Sequence, residues 1–457
     1  MPGPTQAITD RYPGLNHLMM EFNQMKAFLR EPLVVTDGDR VRLRDHTGRW
    51  IIDAISGVAA VQLGHKNRPI IDAMKAQLER VALTLPLHAV NEPELELAEL
   101  LVAITPPEFT TIKFTSGGSE ANEAAFKLVR QYHHQTGNPG KYKIISRYGS
   151  YHGATMGALA ASGGAARKRK FEPFPTGFVH IHPPDCYHCP FKLRYPACGV
   201  VCAEILEQVI LGEAPETVAA FIAEPVILSA DAYVVPPPEY FQIIRRICDR
   251  YQVVLIYDEI ITGFGRLGEL FGADVYGVYP DILTVGKGLS GGYAPLAAVI
   301  MRDAFAKAFW GEPAEGVHFN AGHTYAGNPV ACAAGLAAVR QIVAGEVLAN
   351  VRRQSERLRA RLCDMAARYA VIGRVDGHGL LQGVEFVTDR ATHAGFPVSQ
   401  SFCRAVGREA LKRGLIARTG DHVYVLTPPL VATDADIDAM ADILDASIAE
   451  TLETFPS

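Results

Sequence analysis

No run of about 18 consecutive apolar residues occurs in the 457-residue chain, so no segment is expected to cross a membrane. The opening stretch MPGPTQAITDRYPG lacks a basic start followed by an apolar run, so no secretory leader is expected. Together the two absences make a cytoplasmic protein the expectation. An excess of positive charge is also missing. Lys and Arg number 44 against 49 Asp and Glu, a formal net charge of -5, which argues against a nucleic-acid partner. The one basic run, Arg167-Lys168-Arg169-Lys170, is short and reads as a solvated loop. Internal repeats and low-complexity linkers are absent. Cysteine is sparse, with 8 residues, so no disulfide scaffold is expected. Four of the eight do cluster: Cys186, Cys189, Cys198 and Cys202, spaced CxxC, eight residues, CxxxC. Four thiolates could build a tetrahedral zinc site, but the second half is not a regular zinc-ribbon knuckle. These residues are therefore read as packing cysteines in a long ordered loop, and no metal ligands are assigned.

What is present is ample core-forming material. Apolar residues make up 48 % and charged residues 20 %, the balance of a globular fold, and the length suits two or three domains. Residues 33–61 alternate apolar and polar and read as three short antiparallel strands, LVVTD, RVRLRD and WIIDAI. Helices are predicted over 68–82, with Pro69 in the first turn, and over 92–104. From residue 110 the pattern becomes strand, turn, helix. TTIKF, KYKIISR, VAAFIAEP, QVVLIYDE and DILTVGKG are short apolar runs ending in polar or turn residues, and ANEAAFKLVRQYHHQ is a helix. This is an α/β arrangement, a sheet covered on both faces by crossover helices, in which ligands gather at the C-terminal strand ends. Beyond residue 330, helices over 329–346 and 348–368, a hairpin over 371–387, a helix over 400–412, a strand in HVYVLTPPL and a helix over 434–453 read as an α+β unit. The boundaries drawn are 1–65 for a segment joining the small domain, 66–335 for the large domain and 336–457 for the C-terminal small domain.

Asp258 follows the apolar strand VVLIY and Lys287 follows ILTVG, so both reach the same rim of the sheet. Gly286 and Gly288 flank the lysine and are read as leaving room for something bulky beside its amine. A phosphate-loop reading fails, because Asp281 stands where that motif needs glycine and Gly288 where it needs Ser or Thr. A dinucleotide reading of Gly263, Gly265 and Gly268 fails too, since Asp258-Glu259 precede them and no convincing helix follows. Ser116-Gly117-Gly118-Ser119-Glu120, between a strand and a helix, reads equally as an anion-binding turn or as an ordinary turn capped by Ser116 or Ser119. Tyr151, in YHG, could stack on a planar ring, although on spacing alone a packing tyrosine is the commoner case. Glu224-Pro225 ends the strand VAAFIA, and His323 to Pro329 form a polar turn before a helix of small residues.

The segments SGGSEANEAAFKLVR, YHGAT, AEPV, YDEIITGFGR, VGKGLSGGYAPLAAV and HTYAGNPVACAAGLA occur in family order. Over nearly its full length the chain resembles the class III aminotransferases, the group that includes the ω-aminotransferases. That resemblance implies pyridoxal phosphate and an aspartate-aminotransferase-like fold of type I. It also implies a mostly parallel seven-stranded sheet beside a smaller α+β domain, and a homodimer (a tetramer being possible) with shared active sites. Carried over by motif, Lys287 matches the Schiff-base lysine and Asp258 the carboxylate facing the pyridine nitrogen. Gly118 and Ser119 match the phosphate-binding turn, Tyr151 the stacking aromatic and Ile260 the apolar residue on the other ring face. Thr324 matches a phosphate ligand given by the neighbouring subunit, and Glu224 an acidic residue on the substrate side. A ring nitrogen kept protonated by a close carboxylate makes the ring an electron sink, and a freed lysine amine can move the proton.

The substrate is less legible. Arg418, in GLIARTGDHVYVLTPPL, resembles the flipping arginine of amine–pyruvate aminotransferases, whose fork can pair with a carboxylate and swing away. Ile261 stands where many members using ornithine, acetylornithine or 4-aminobutyrate carry Gln. Ala59 stands where some amine-specific members carry Trp, which implies a roomier pocket. The stretch PPDCYHCPFKLRYPACGVVCAEILEQVI is similar to one in taurine–pyruvate aminotransferases, favouring pyruvate as acceptor and an amine, β- or ω-amino acid as donor. The alternatives are a 4-aminobutyrate or diamine–2-oxoglutarate aminotransferase, a decarboxylase or aminomutase of the same family, and a zinc-stapled interaction protein without catalysis.

Overall fold

The strand Val218–Ala223 is buried at every position, which a strand achieves only when both faces of its sheet are covered. In the computed structural model, which describes residues 4–228 and 233–455, it lies within a sheet of seven strands. These are β1 (Phe109–Thr115), β2 (Lys143–Arg147), β3 (Phe178–Ile181), β4 (Val218–Ala223), β5 (Val254–Asp258), β6 (Ile282–Val285) and β7 (Ala297–Arg302). Their order is β1-β7-β6-β5-β4-β2-β3. β7 runs antiparallel to both β6 and β1, and the pairs β5–β6, β5–β4, β4–β2 and β2–β3 are parallel. Two of the seven, β3 and β7, are not among the five runs that sequence pattern marks as strands. β7 follows the loop after Lys287 within a motif dominated by glycine, which masks its apolar run.

Successive side chains of each strand enter opposite cores. Ile144, Ala220, Ile222, Val254 and Ile256 pack under the helix Gly118–Gln135, against Ala121, Ala125, Leu128 and Val129. Ile145, Phe221, Leu255, Tyr257 and Leu283 pack on the other face, under helices Val201–Gly212, Tyr240–Tyr251 and Pro329–Val343. Each buried Val, Leu, Ile or Phe side chain among these contributes about 1.5–3 kcal/mol, enough in sum to hold the strand ends at fixed positions.

A second core lies outside this sheet. The strands Ile372–His378 and Leu381–Phe386 form the expected antiparallel hairpin, which continues to Val423–Leu426 and Arg418–Thr419. Helices Glu346–Arg368, Phe402–Lys412 and Asp434–Thr454 cover it. Val41, Ile52 and Ala54 share that core with Leu358, Val406 and Leu444. The N-terminal strands Val35–Asp39, Arg42–Asp45 and Trp50–Asp53 are antiparallel, and Leu415–Ile416 pairs parallel with Ile52 and Asp53. Arg266, wholly buried, ties the parts together. It donates to the carbonyls of Leu380 and Pro428 at 3.0 and 2.6 Å and to Ser56 Oγ at 3.2 Å.

Among the described residues no single helix is long and apolar enough to cross a membrane. Cys186, Cys189, Cys198 and Cys202 line one small cavity of about 20 Å³, all as free thiols. Burial, followed by the neighbouring Cys186 and Cys198, pushes the Cys202 thiol up to about 12. Among the described residues no group of three or more His, Cys, Asp or Glu side chains is arranged to hold a metal ion.

Candidate active site

At the C-terminal ends of β4, β5 and β6 lies a cavity of about 510 Å³. Among the residues marked from sequence, the Ser116–Ser119 turn, Tyr151, Glu224, Asp258, Ile260, Ile261 and Lys287 line it. The parallel register sets Asp258 opposite Thr284, three residues before Lys287, which brings the carboxylate and the amine to one rim.

Lys287 sits in the left-handed region at φ 41°, a backbone strain held by its surroundings. Its flanking glycines do not leave open space, contrary to the sequence reading. A Cβ on Gly288 would stand 2.4 Å from the Gln62 side chain, and one on Gly286 would stand 3.0 Å from Ile260 Cδ1. They are small because neighbours pack against the backbone, which holds the lysine in its strained turn. Burial lowers the amine to about 8. Asp258 opposes that shift, and the charge of Arg418 adds to it. Among the described residues no acceptor takes a hydrogen bond from the amine, which leaves it available to a reaction partner.

Asp258 is oriented from several sides. Its Oδ2 accepts from Asn122 Nδ2 and His152 Nδ1, both at 2.8 Å, and its Oδ1 accepts from the Ile260 N–H at 3.2 Å. Asn122 is itself held, donating to the His152 carbonyl at 2.6 Å and accepting from Thr284 Oγ1 at 2.8 Å. His152 is fully buried. Burial alone would lower its pKa, but the charge of Glu224 and the bond to Asp258 outweigh that and raise it. His152 thus lies between two carboxylates that both favour its protonated form, with Glu224 Oε2 3.8 Å from Nε2.

Glu224 reaches the cavity wall, yet its oxygens are occupied by the fold. Oε1 accepts from the Tyr151 N–H at 2.9 Å, and Oε2 lies 3.4 Å from Arg147 Nη2. Arg147 is wholly buried and also donates to the Glu224 carbonyl. In this arrangement Glu224 positions Tyr151 and His152.

The turn at 116–119 opens an 18-residue helix, Gly118–Gln135, whose N-cap Gly117 supplies no side-chain cap. Neither Ser116 nor Ser119 caps it, so its first-turn N–H groups face the cavity as an anion site. Ser119 Oγ accepts from the Ala154 N–H at 3.0 Å, and the Ser116 N–H is taken by Glu120 at 2.9 Å. A Cβ on Gly118 would lie 3.0 Å from Ile260, so the glycine lets Ile260 pack over the turn.

Three other marked residues lie apart from the wall. Ala59 is 3 % exposed and is not a lining residue; Val58 and Ala60 line the cavity instead. Positive φ at Ser56, Gly57 and Ala59 reverses the expected side-chain directions there. Thr324 is exposed, ahead of helix Pro329–Val343, and does not line this chain's cavity. Arg418 lies on a short strand opposite Val425, near enough for its charge to act on Lys287. The basic run is also more structured than expected. Ala165–Lys168 is a short helix in which Arg167 and Lys168 are half-buried. His152, Asn122 and Arg147 were not marked as site residues. His152 adjoins Tyr151 in YHG, and Asn122 lies three residues after Ser119 on one helix face, but only the folded register aims them at Asp258.

An uncapped helix start, an apolar residue packed over it, a fixed carboxylate and a lysine with depressed basicity meet in one cavity, as pyridoxal phosphate requires. The family profile Aminotransferase class-III matches residues 25–448. The chain belongs to the class-III aminotransferases. It is 35 % identical to a taurine–pyruvate aminotransferase of Rhodobacter capsulatus over 94 % of this chain and 95 % of that protein. It is 33 % identical to an adenosylmethionine-8-amino-7-oxononanoate aminotransferase of Geobacter sulfurreducens, covering 94 % and 95 %. The structure matches an (S)-enantioselective ω-transaminase from Thermomicrobium roseum with a TM-score of 0.92 and 35 % identity, covering 98 % of this chain and 99 % of that one. This class-III aminotransferase is therefore a pyridoxal-phosphate enzyme of fold type I that transfers amino groups.

Proposed function

We propose that this aminotransferase takes its amino group from an amine or a β- or ω-amino acid and passes it to pyruvate. The observation that carries the reading is the contrast around Lys287. Ile261, Val58, Ala60 and Leu296 make an apolar wall, and Arg418 places one cation close to the amine. An apolar wall suits an uncharged group. A guanidinium fork suits the carboxylate of pyruvate or of an acidic donor. The likeness to a taurine–pyruvate aminotransferase and to an ω-transaminase supports the same choice.

When bound, pyridoxal phosphate supplies an electron sink at the substrate carbon. Lys287 would hold it, Asp258 would face its ring nitrogen, and the Gly118-Ser119 turn would take its phosphate. Asp258, locked by Asn122 and His152, presents a fixed negative charge and needs no reorganisation during the reaction. The Lys287 amine, brought to about 8, exchanges protons near neutral pH, as a group that alternates between base and acid must. Tyr151 and Ile260 flank the cavity into which the amine reaches. A homodimer with shared sites completes the proposal. Thr324 is exposed away from its own cavity, and Leu85, Leu87 and Val90 are 66, 88 and 62 % exposed, an apolar surface suited to a second copy.

The test is a donor panel against pyruvate: taurine, β-alanine, 4-aminobutyrate, an aromatic β-amino acid and 1-phenylethylamine. Arg418→Ala should lower kcat/KM for acidic donors by roughly 10- to 100-fold, the worth of a charged hydrogen-bonded pair, and spare 1-phenylethylamine. Equal loss for both classes would remove Arg418 from substrate recognition. Turnover with 2-oxoglutarate alone, or release of CO2, would refute the pyruvate reading.

A further inference from the structure

Tyr151 is fixed at its main chain by Glu224, which leaves the attitude of its ring to whatever packs on it. Tyr151 lines the cavity. The guanidinium of Arg167 lies over the ring, its Cζ 4.7 Å from the centroid. The same guanidinium lies 4.9 Å from the ring centroid of Phe22. Neither Arg167 nor Phe22 lines the cavity. The three side chains therefore form a column in the order Phe22, Arg167, Tyr151, and the last of them lines the cavity. The middle of the column is anchored, since Lys168 Nζ donates to the Ala160 carbonyl at 3.0 Å and holds the short helix Ala165–Lys168, which carries Arg167, in place.

We infer that Arg167 is a positioning residue for the cofactor ring, acting through Tyr151. A planar cation between two aromatic faces is attracted to both, and it resists the rotation by which Tyr151 would lose its attitude. The effect is on cofactor retention and placement, and it does not require Arg167 to touch the substrate. It also accounts for a basic residue becoming half-buried beside exposed Arg169 and Lys170.

The experiment compares the wild-type holoenzyme with Arg167→Met, Arg167→Lys and Phe22→Leu. The readouts are the release rate of pyridoxal phosphate on dilution, its dissociation constant on reconstitution, and the visible circular dichroism of the bound cofactor. Methionine keeps the length and apolar stem but removes the cation. It should weaken retention by roughly 3- to 30-fold and change the circular dichroism, the range of a partly desolvated cation–π contact. Lysine should restore most of the retention. Phe22→Leu, at a residue 80 % exposed, should fold normally and shift retention in the same direction by a smaller factor. If Arg167→Met fails to fold, the comparison of lysine and Phe22→Leu with wild type decides the matter. Unchanged retention and dichroism in the folded variants would overturn the inference. So would a rise in KM confined to acidic donors, since that would make Arg167 a reader of substrate charge.

Discussion

The basicity of Lys287 can be measured directly in the cofactor-free protein. Burial lowers its amine from 10.5 to about 8, against the opposing pull of Asp258 and with help from Arg418. At pH 7 a group with a pKa near 8 is neutral in about 9 % of molecules, whereas one at 10.5 is neutral in about 0.03 %, a ratio of about 300. Acylation of Lys287 by a small reagent, followed by mass spectrometry across pH, should therefore reach half its limiting rate near pH 8. Asp258→Asn should lower the midpoint further and Arg418→Met should raise it. The same shift has a stability consequence of definite sign. The folded pKa lies below the unfolded one, so below about pH 8 the fold carries the cost of a buried ammonium. Between about 8 and 10.5 the unfolded chain holds a proton that the folded chain has released, and stability rises with pH. The full cost is about 3 kcal/mol, an upper bound because the amine faces a cavity open to water. Lys287→Met should thus stabilise the cofactor-free protein at pH 7 by up to that amount and add little near pH 10.5. A midpoint at or above 10, or a stabilisation independent of pH, would refute the account.

His152→Gln keeps a donor for Asp258 but removes the cation between it and Glu224, and should cost about 2–3 kcal/mol at pH 6. Because the folded pKa of His152 is raised, that contribution is complete below about 6.5 and is lost as pH rises through the folded value. Denaturation of the two proteins should accordingly converge at alkaline pH, and an undiminished difference there would assign the loss to packing. Gly379→Ala should cost several kcal/mol, since φ is +57° and a Cβ would lie 2.4 Å from Leu267 Cα. Gly345→Ala, at φ +97° with nothing within 4 Å, should cost only about 1 kcal/mol, so equal melting temperatures for the two variants would contradict the close-approach argument.

Where the chemistry is local, the residues could be read in order. An apolar run followed by a polar or turn residue is a buried strand reaching a sheet rim. That rule alone set Asp258 and Lys287 at one edge, and the motif order supplied the cofactor. The five strands with clear apolar boundaries were legible for the same reason. β3 and β7 were not, because neighbouring proline-rich and glycine-rich loops hide their short runs. Side-chain direction in the kinked segment 56–59 was beyond pattern too, since positive φ at Ser56, Gly57 and Ala59 breaks any periodicity, and Ala59 therefore turned inward while Val58 and Ala60 faced the cavity.

By itself, then, the sequence determined the class of fold, through strand ends and turns contained within a few residues, and the order of its motifs carried the family resemblance that implied the cofactor and marked Lys287, Asp258 and the Gly118-Ser119 turn for it. Only the tertiary structure decided how those residues are tuned. The depressed basicity of Lys287, the raised basicity of His152, the engagement of Glu224 with Arg147, and the packing of Phe22 on Arg167 beside Tyr151 join residues tens to more than a hundred positions apart. Burial and charge act through space, and no spacing along the chain records them.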